Sequence, residues 1–280
     1  MAPDHREAAP VYPPEPWDLR GQMYLSVFAV PRRDLRPLPR PLTAAVRPVP
    51  FGARLLVGAA WVRYEPGGTL HYRELLSAVL VHEGLHPRVS ITDIWVDSAA
   101  SRDGGRALWG IPKDLAHIEL RPAADGATAA VAALHPGPAG VSDGTTPDRD
   151  RPDRDRPDRD RPDRDGQGPD PDGTGSDRLS WDRAVAAATV TRGVRVPGRW
   201  PAALSVAQVL DGRVRRTGVR GHARVRISGA TWQVDPQGPL GYLAGRRPLV
   251  TVTVADFRLR FGAAASAPDR RRPEEPRALG

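Results

Sequence analysis

The feature that most restricts the fold is a succession of short strand-like segments, nearly every one followed by a turn signal. MYLSVFAV (Met23–Val30), RLLVGAAWVRY (Arg54–Tyr64), ELLSAVLV (Glu74–Val81) and RVSITDIWVD (Arg88–Asp97) are rich in β-branched, aliphatic and aromatic residues, with Pro, Gly or His breaks between them. AHIELRP (Ala116–Pro122), ATAAVAAL (Ala127–Leu134) and AVAAATVTR (Ala184–Arg192) continue the series, as do ALSVAQVL (Ala203–Leu210), HARVRISGATWQV (His222–Val234) and LVTVTVADFRLRF (Leu249–Phe261). The VTVTV run alternates strictly, as a strand with one buried and one wet face must. Helical patterning is confined to RRDLRPL near Arg32 and PLGYLAG near Gly241. About ten such segments predict a mainly β chain, α+β only through a few short helices. Its antiparallel strands are expected to close, or nearly close, into a barrel that leaves no long edge unpaired.

One stretch cannot contribute to that sheet. PDRDRPDRDRPDRDRPDRD (Pro147–Asp165) is a five-residue repeat with seven Arg and eight Asp, so its charges nearly cancel and nothing apolar is left to bury. Its prolines remove ladder donors and break helices. With its Gly- and Asp-rich flanks it predicts a disordered insertion over 136–177. Because it falls between two strands, it interrupts a single domain, 11–263, rather than joining two. The segment 264–280, which carries SAPDRRRPEEPRALG, reads as a disordered tail.

Charge and composition narrow the function. The net charge is +8 and its densest patch is RVRRTGVRGHARVR, Arg213–Arg226. Arg224 and Arg226 are two apart, which on a strand places both on one solvated face. Stacking aromatics are not interleaved with them, so a nucleic-acid partner is not expected. There is no cysteine, which excludes disulfides, thiolate nucleophiles and Cys-ligated metals. The N-terminal MAPDHREAAPVYPPEPW lacks the apolar core of a secretory signal, and no apolar run approaches the roughly 18 residues of a spanning helix. A cytoplasmic protein with no membrane partner is the expectation.

Two motifs compete to be the site. HEGLH (His82–His86) matches the H-E-x-x-H of zinc proteases, in which a helix brings two histidines onto one face. Here Gly84 lies inside the would-be helix, Pro87 follows directly, and SAVLV before it is strand-like. The segment therefore reads as the connection between two strands, and no metal is expected. The second motif is ALWGIPKDLAHIEL, Ala107–Leu120. Of the 41 Lys and Arg residues in the chain, only Lys113 is a lysine. Arginine can replace lysine as a surface charge, but its guanidinium stays protonated and forms no imine. A lysine among Leu108, Trp109, Ile111 and Leu115 either snorkels to water or is desolvated into a nucleophile. At an ordinary pKa near 10.4 only about 0.04% of the amine is neutral at pH 7, so activation needs a drop of roughly three to four units.

VDSAASRDGGRALWGIPKDLAHIEL (Val96–Leu120), HYREL (His71–Leu75) and PPEPWDLRGQMYLSVFAVP (Pro13–Pro31) together resemble the acetoacetate decarboxylase family. The likeness runs over about 12–134 and more loosely over 184–261, and its most specific part is G-R-x-x-W-G-x-P-K. The resemblance implies a cone-like antiparallel β-barrel that forms homo-oligomers and needs no cofactor. It implies a Schiff-base lysine at Lys113, acetoacetate decarboxylase being the usual example of a lysine activated by its surroundings. It also implies an active-site glutamate at Glu74 within Y-x-E, beside Tyr72. Arg20 matches a substrate-proximal arginine and would hold a carboxylate, while Trp109 and Ile111 would form the dry wall of the site. The expected partner is a small-molecule keto acid, decarboxylated through an iminium. An aldolase-dehydratase on pyruvate-like acids, or a non-catalytic binding barrel, are the alternatives. Two departures stand out. Asp114 occupies the place of a second lysine directly after the nucleophile. A second family glutamate would fall near Ala59–Ala60 and is absent.

Overall fold

The computed structural model describes residues 11–122, 128–134 and 184–263. The elements are β1 (Trp17–Pro31), α1 (Arg40–Ala45), β2 (Arg47–Pro48), β3 (Pro50–Phe51), β4 (Arg54–Tyr64), β5 (Tyr72–Glu83), β6 (His86–Val96), α2 (Ala99–Trp109), β7 (Lys113–Pro122), β8 (Thr128–Leu134), β9 (Ala184–Leu210), β10 (Arg213–Val234) and β11 (Val250–Ala263). All of them belong to one compact unit built from both sides of the Arg/Asp/Pro repeat. The insertion expected over 136–177 and the tail expected over 264–280 lie outside the described residues.

Hydrogen-bonded neighbours run β5-β6-β7-β8-β9-β10-β11-β1-β4, and β4 pairs back onto β5. Among the described residues, nine strands thus form a closed, cone-like ring, which removes the long free edges an open sheet would present. The two-residue β2 and β3 hang outside it, on β5 and β4. The pairing is antiparallel except where β6 meets β7, with Ile94 opposite Lys113, and where Val89 bridges to Val206 on β9. A parallel pair needs a crossover rather than a hairpin, and α2 supplies it.

The strand boundaries match the sequence reading closely at Arg54–Tyr64 and depart from it at β9. AVAAATVTR and ALSVAQVL were expected as separate strands, because Pro197, Gly198 and Pro201 lie between them. They form one strand, since pairing with β10 resumes on each side of a bulge opposite Arg224. The segments near Arg32 and Gly241 form only single 3-10 turns.

β4 is buried on both faces, and this creates the site. Val57, Ala59 and Trp61 join one core with Phe28, Leu75 and Val79. Ala60 and Val62 face the other way, into a second cluster with Trp17, Ile94 and Trp109. The second cluster surrounds a cavity of about 310 Å³.

Candidate active site

Lys113 is the first residue of β7, and three local devices aim it inward. Ser98 caps α2, its hydroxyl accepting from the Ser101 amide at 3.3 Å, which sets Ser101 on the first turn. At the other end Gly110 adopts φ +66°, the left-handed C-cap that turns the chain from α2 into β7. Between them, Gly105 lets the helix lie against the lysine stem. A Cβ there would fall 2.7 Å from Lys113 Cδ and 2.9 Å from Cε. Arg106 then donates from its Nε to the Lys113 carbonyl, tying the end of α2 to the start of β7.

Lys113 is 4% exposed. Its Nζ donates to Glu74 Oε2 at 2.9 Å, to Ser101 Oγ at 2.9 Å and to Tyr72 Oη at 3.2 Å. All three ammonium protons are thereby placed. Tyr64 donates to the other Glu74 oxygen at 3.2 Å, and its ring lies 4.4 Å from that of Tyr72. The register explains the convergence: Tyr64 is opposite Tyr72 and Val62 opposite Glu74, so β4 and β5 present these groups on one face.

Sequence reasoning expected burial alone to lower the Lys113 pKa. Burial does pull it down, but the charge of Glu74, with Tyr72 and the hydrogen bonds from both, outweighs burial and holds the ammonium above its ordinary value. Burial pushes both Tyr64 and Tyr72 upward, more so for Tyr64, so their hydroxyls stay protonated. The resting site is an ion pair inside a low-dielectric cavity.

Of the residues singled out from sequence, Lys113, Glu74, Tyr72, Trp109 and Ile111 all line this cavity. Trp109 stacks edge-on against Trp17 and Phe261, each at 4.6 Å, and donates from Nε1 to Glu15 at 2.7 Å. Arg20 does not reach it. Leu19 faces the cavity, so its neighbour Arg20 points to the opposite face of β1. There its guanidinium lies over Gly67, and it lines a separate surface hollow with Arg220 and Arg258. Asp114 is likewise turned outward. Its side chain is 69% exposed, accepts from the Leu115 amide and lies 3.7 Å from Arg106, so it does not face the amine.

HEGLH is the tip of the β5–β6 hairpin, with Glu83 opposite His86 and Gly84 at φ +57°. Glu83 binds Arg216 and Arg88, and the Arg216 guanidinium first of all holds its carboxyl down to about 2. No cluster of His, Asp or Glu able to hold a metal occurs among the described residues, and no helix among them is long and apolar enough to cross a membrane.

Ser101 and Tyr64 were not anticipated. α2 was hidden because Gly104 and Gly105 disfavour helix, although Ser98 and Gly110 bracket it as caps. Tyr64 could have been found from the β4–β5 register, but register is a long-range property that a strand's own sequence does not display.

Comparison with known proteins bears on the fold and the family. Structures similar in fold include an acetoacetate decarboxylase at TM-score 0.55 and 14% identity, covering 91% of this chain and 90% of that one. The acetoacetate decarboxylase of Legionella pneumophila aligns at TM-score 0.53 and 14% identity, covering 92% of this chain and 90% of that chain. The enduracididine biosynthesis enzyme MppR complexed with pyruvate aligns at TM-score 0.53 and 17% identity, over 91% and 90%. No curated protein sequence matches the chain significantly. The family model for acetoacetate decarboxylase (ADC) matches residues 1–162, more than half of the sequence. The chain therefore belongs to the acetoacetate decarboxylase family.

Proposed function

We propose that this chain is a Schiff-base lyase that decarboxylates a β-keto acid through an iminium on Lys113. The observation that carries the reading is the contact between the sole lysine and Glu74, 2.9 Å apart and buried at the wall of an apolar cavity. An arginine there could hold a carboxylate but could form no imine.

The chemistry begins with proton transfer from Lys113 to Glu74. In the resting site one cation balances one anion. The transfer exchanges two buried charges for two neutral groups across the 2.9 Å contact and leaves the net charge of the cavity unchanged. The freed amine attacks the ketone to give a carbinolamine, and the proton returns from Glu74 as water leaves and the iminium forms. The carbon–carbon bond to the carboxylate breaks, CO2 departs, and the electron pair moves onto nitrogen as an enamine. Glu74, reprotonated from solvent, delivers that proton to the enamine carbon. Water hydrolyses the resulting iminium, releasing the ketone and the lysine. One proton is consumed per turnover. Tyr64 fixes the far oxygen of Glu74, and Tyr72 and Ser101 hold the amine in line.

Borohydride trapping tests the reading. Incubation with a β-keto acid and borohydride is expected to reduce the imine to one stable adduct at Lys113, located by peptide mass spectrometry and lost in Lys113→Arg. An unmodified Lys113 after turnover conditions sinks the proposal. Measuring CO2 release from a β-keto acid beside condensation of pyruvate with an aldehyde distinguishes decarboxylation from the aldolase-dehydratase reaction, for which the MppR–pyruvate complex provides the comparison.

A further inference from the structure

Beyond Lys113 and Glu74, the cavity runs along strands that contribute almost only hydrocarbon. From Glu74 to Leu80 on β5, alternate residues face inward, which spans about 20 Å at roughly 3.3 Å per residue. The cross-strand register stacks them in tiers. Leu25, Ala60, Leu76 and Ile94 form the tier beyond Glu74, and Val27, Gly58, Ala78 and Ile91 form the next. Leu80 and Val89 close the series. Small residues at Ala60, Gly58 and Ala78 leave the bore open where leucines would fill it. Among the described residues, no arginine or histidine lines this space.

A short, highly polar keto acid such as acetoacetate gains little from such walls. Its methyl group would leave the tiers beyond Ala60 as wetted apolar surface, which is unfavourable. Removing that surface from water is what an apolar chain on the substrate would do. We infer that the carbonyl substrate of this site carries an alkyl or aryl chain well beyond a methyl group, laid along the β1–β4–β5–β6 wall from Glu74 toward Leu80, with its carbonyl carbon at Lys113. The inference rests on the Schiff-base reading for the carbonyl and on the lining of the cavity for the chain.

A homologous series of methyl ketones, from butanone to nonanone, is the probe. In the first arm the second-order rate of borohydride trapping at Lys113 is measured for each ketone. It is expected to rise about fourfold per added methylene until the bore is filled. In the second arm, binding of the same ketones is measured by thermal shift in a Lys113→Met/Glu74→Gln double variant, which removes the ion pair together and cannot form an imine. The affinity is expected to climb with the same slope. In the third arm, Gly58→Leu and Ala78→Leu are each expected to flatten the slope beyond the blocked tier. A Cβ at Gly58 already lies 3.2 Å from Leu25 Cδ1. The slope is a ratio within one variant, so a partial loss of folded protein does not mimic it.

Short ketones that trap with no dependence on chain length overturn the inference and leave the Schiff-base reading standing. If no ketone traps at all, the Schiff-base reading fails. The slope of binding then decides: a steep rise keeps the apolar-chain ligand, and a flat one overturns it.

Discussion

Replacing Gly105 with alanine separates a lysine that is merely buried from one that is positioned for attack. The new Cβ would lie 2.7 Å from Lys113 Cδ and 2.9 Å from Cε. Carbon atoms in good contact sit about 3.5–4.0 Å apart, so the stem must retreat by about 1 Å. It cannot swing freely, because the amine beyond it is held at 2.9 Å by both Glu74 and Ser101. A displacement of about 1 Å at a reacting centre costs on the order of 100-fold in rate. Stability responds much less. Overpacking a core costs about 1–3 kcal/mol, while alanine in place of glycine inside α2 returns up to about 1 kcal/mol of helix propensity. The net loss of about 0–2 kcal/mol corresponds to a Tm lower by no more than about 8 °C. The assay is the trapping rate and kcat on folded protein, with Tm alongside. A Gly105→Ala enzyme that traps substrate at the wild-type rate refutes the claim that this close approach positions the nucleophile.

Two further outcomes follow from the electrostatics. In Glu74→Gln the carboxylate that does most to raise Lys113 is gone and burial is opposed only by Tyr72, so the acid limb of the trapping rate is expected to move to lower pH. Turnover is expected to fall by roughly 100- to 10,000-fold as the proton carrier is lost, and an unmoved acid limb defeats the assignment. On the alkaline side, Lys113, Tyr64 and Tyr72 all have folded-state pKa values raised above their ordinary ones. Their contribution is complete below those ordinary values, near pH 10, and is lost as pH rises through the folded values. Tm is therefore expected to drop above about pH 10, and less steeply in the Lys113→Met/Glu74→Gln variant; equal slopes in both proteins contradict the linkage.

Much of the frame was readable from the sequence because its signals are local. The apolar run of Arg54–Tyr64, bounded by turn residues, marks β4 to the residue, and Gly84 and Pro87 identify HEGLH as a hairpin rather than a metal helix. Strand parity also anticipates that adjacent residues such as Lys113 and Asp114 need not share a face, and the two do part as parity allows. What was missed depends on partners distant in sequence. Arg20 lies beside the cavity-lining Leu19, one residue out of phase, and single-strand reasoning does not know which phase faces in. Pro197 and Pro201 read as a break, yet β10 continues to pair on either side of them. Gly104 and Gly105 look like helix breakers, but they are needed for close approach. A Cβ at Gly104 would meet Trp17 at 2.6 Å, and one at Gly105 would meet the lysine stem.

The two departures from the acetoacetate decarboxylase pattern make sense together. A second ammonium beside the nucleophile would depress its pKa by repulsion, and a second carboxylate would need a cation to balance it. Here Asp114 stands in the place of the second lysine and turns out toward Arg106, while Ala60, at the expected place of the second glutamate, faces the cavity as a methyl group. One positive and one negative function have been withdrawn at once, so the cavity keeps a one-to-one balance in Lys113 and Glu74. The cost is that no neighbouring cation helps to free the amine. Activation must then come from handing the proton to Glu74, 2.9 Å away, a step that needs no second cation because it leaves the net charge of the cavity unchanged.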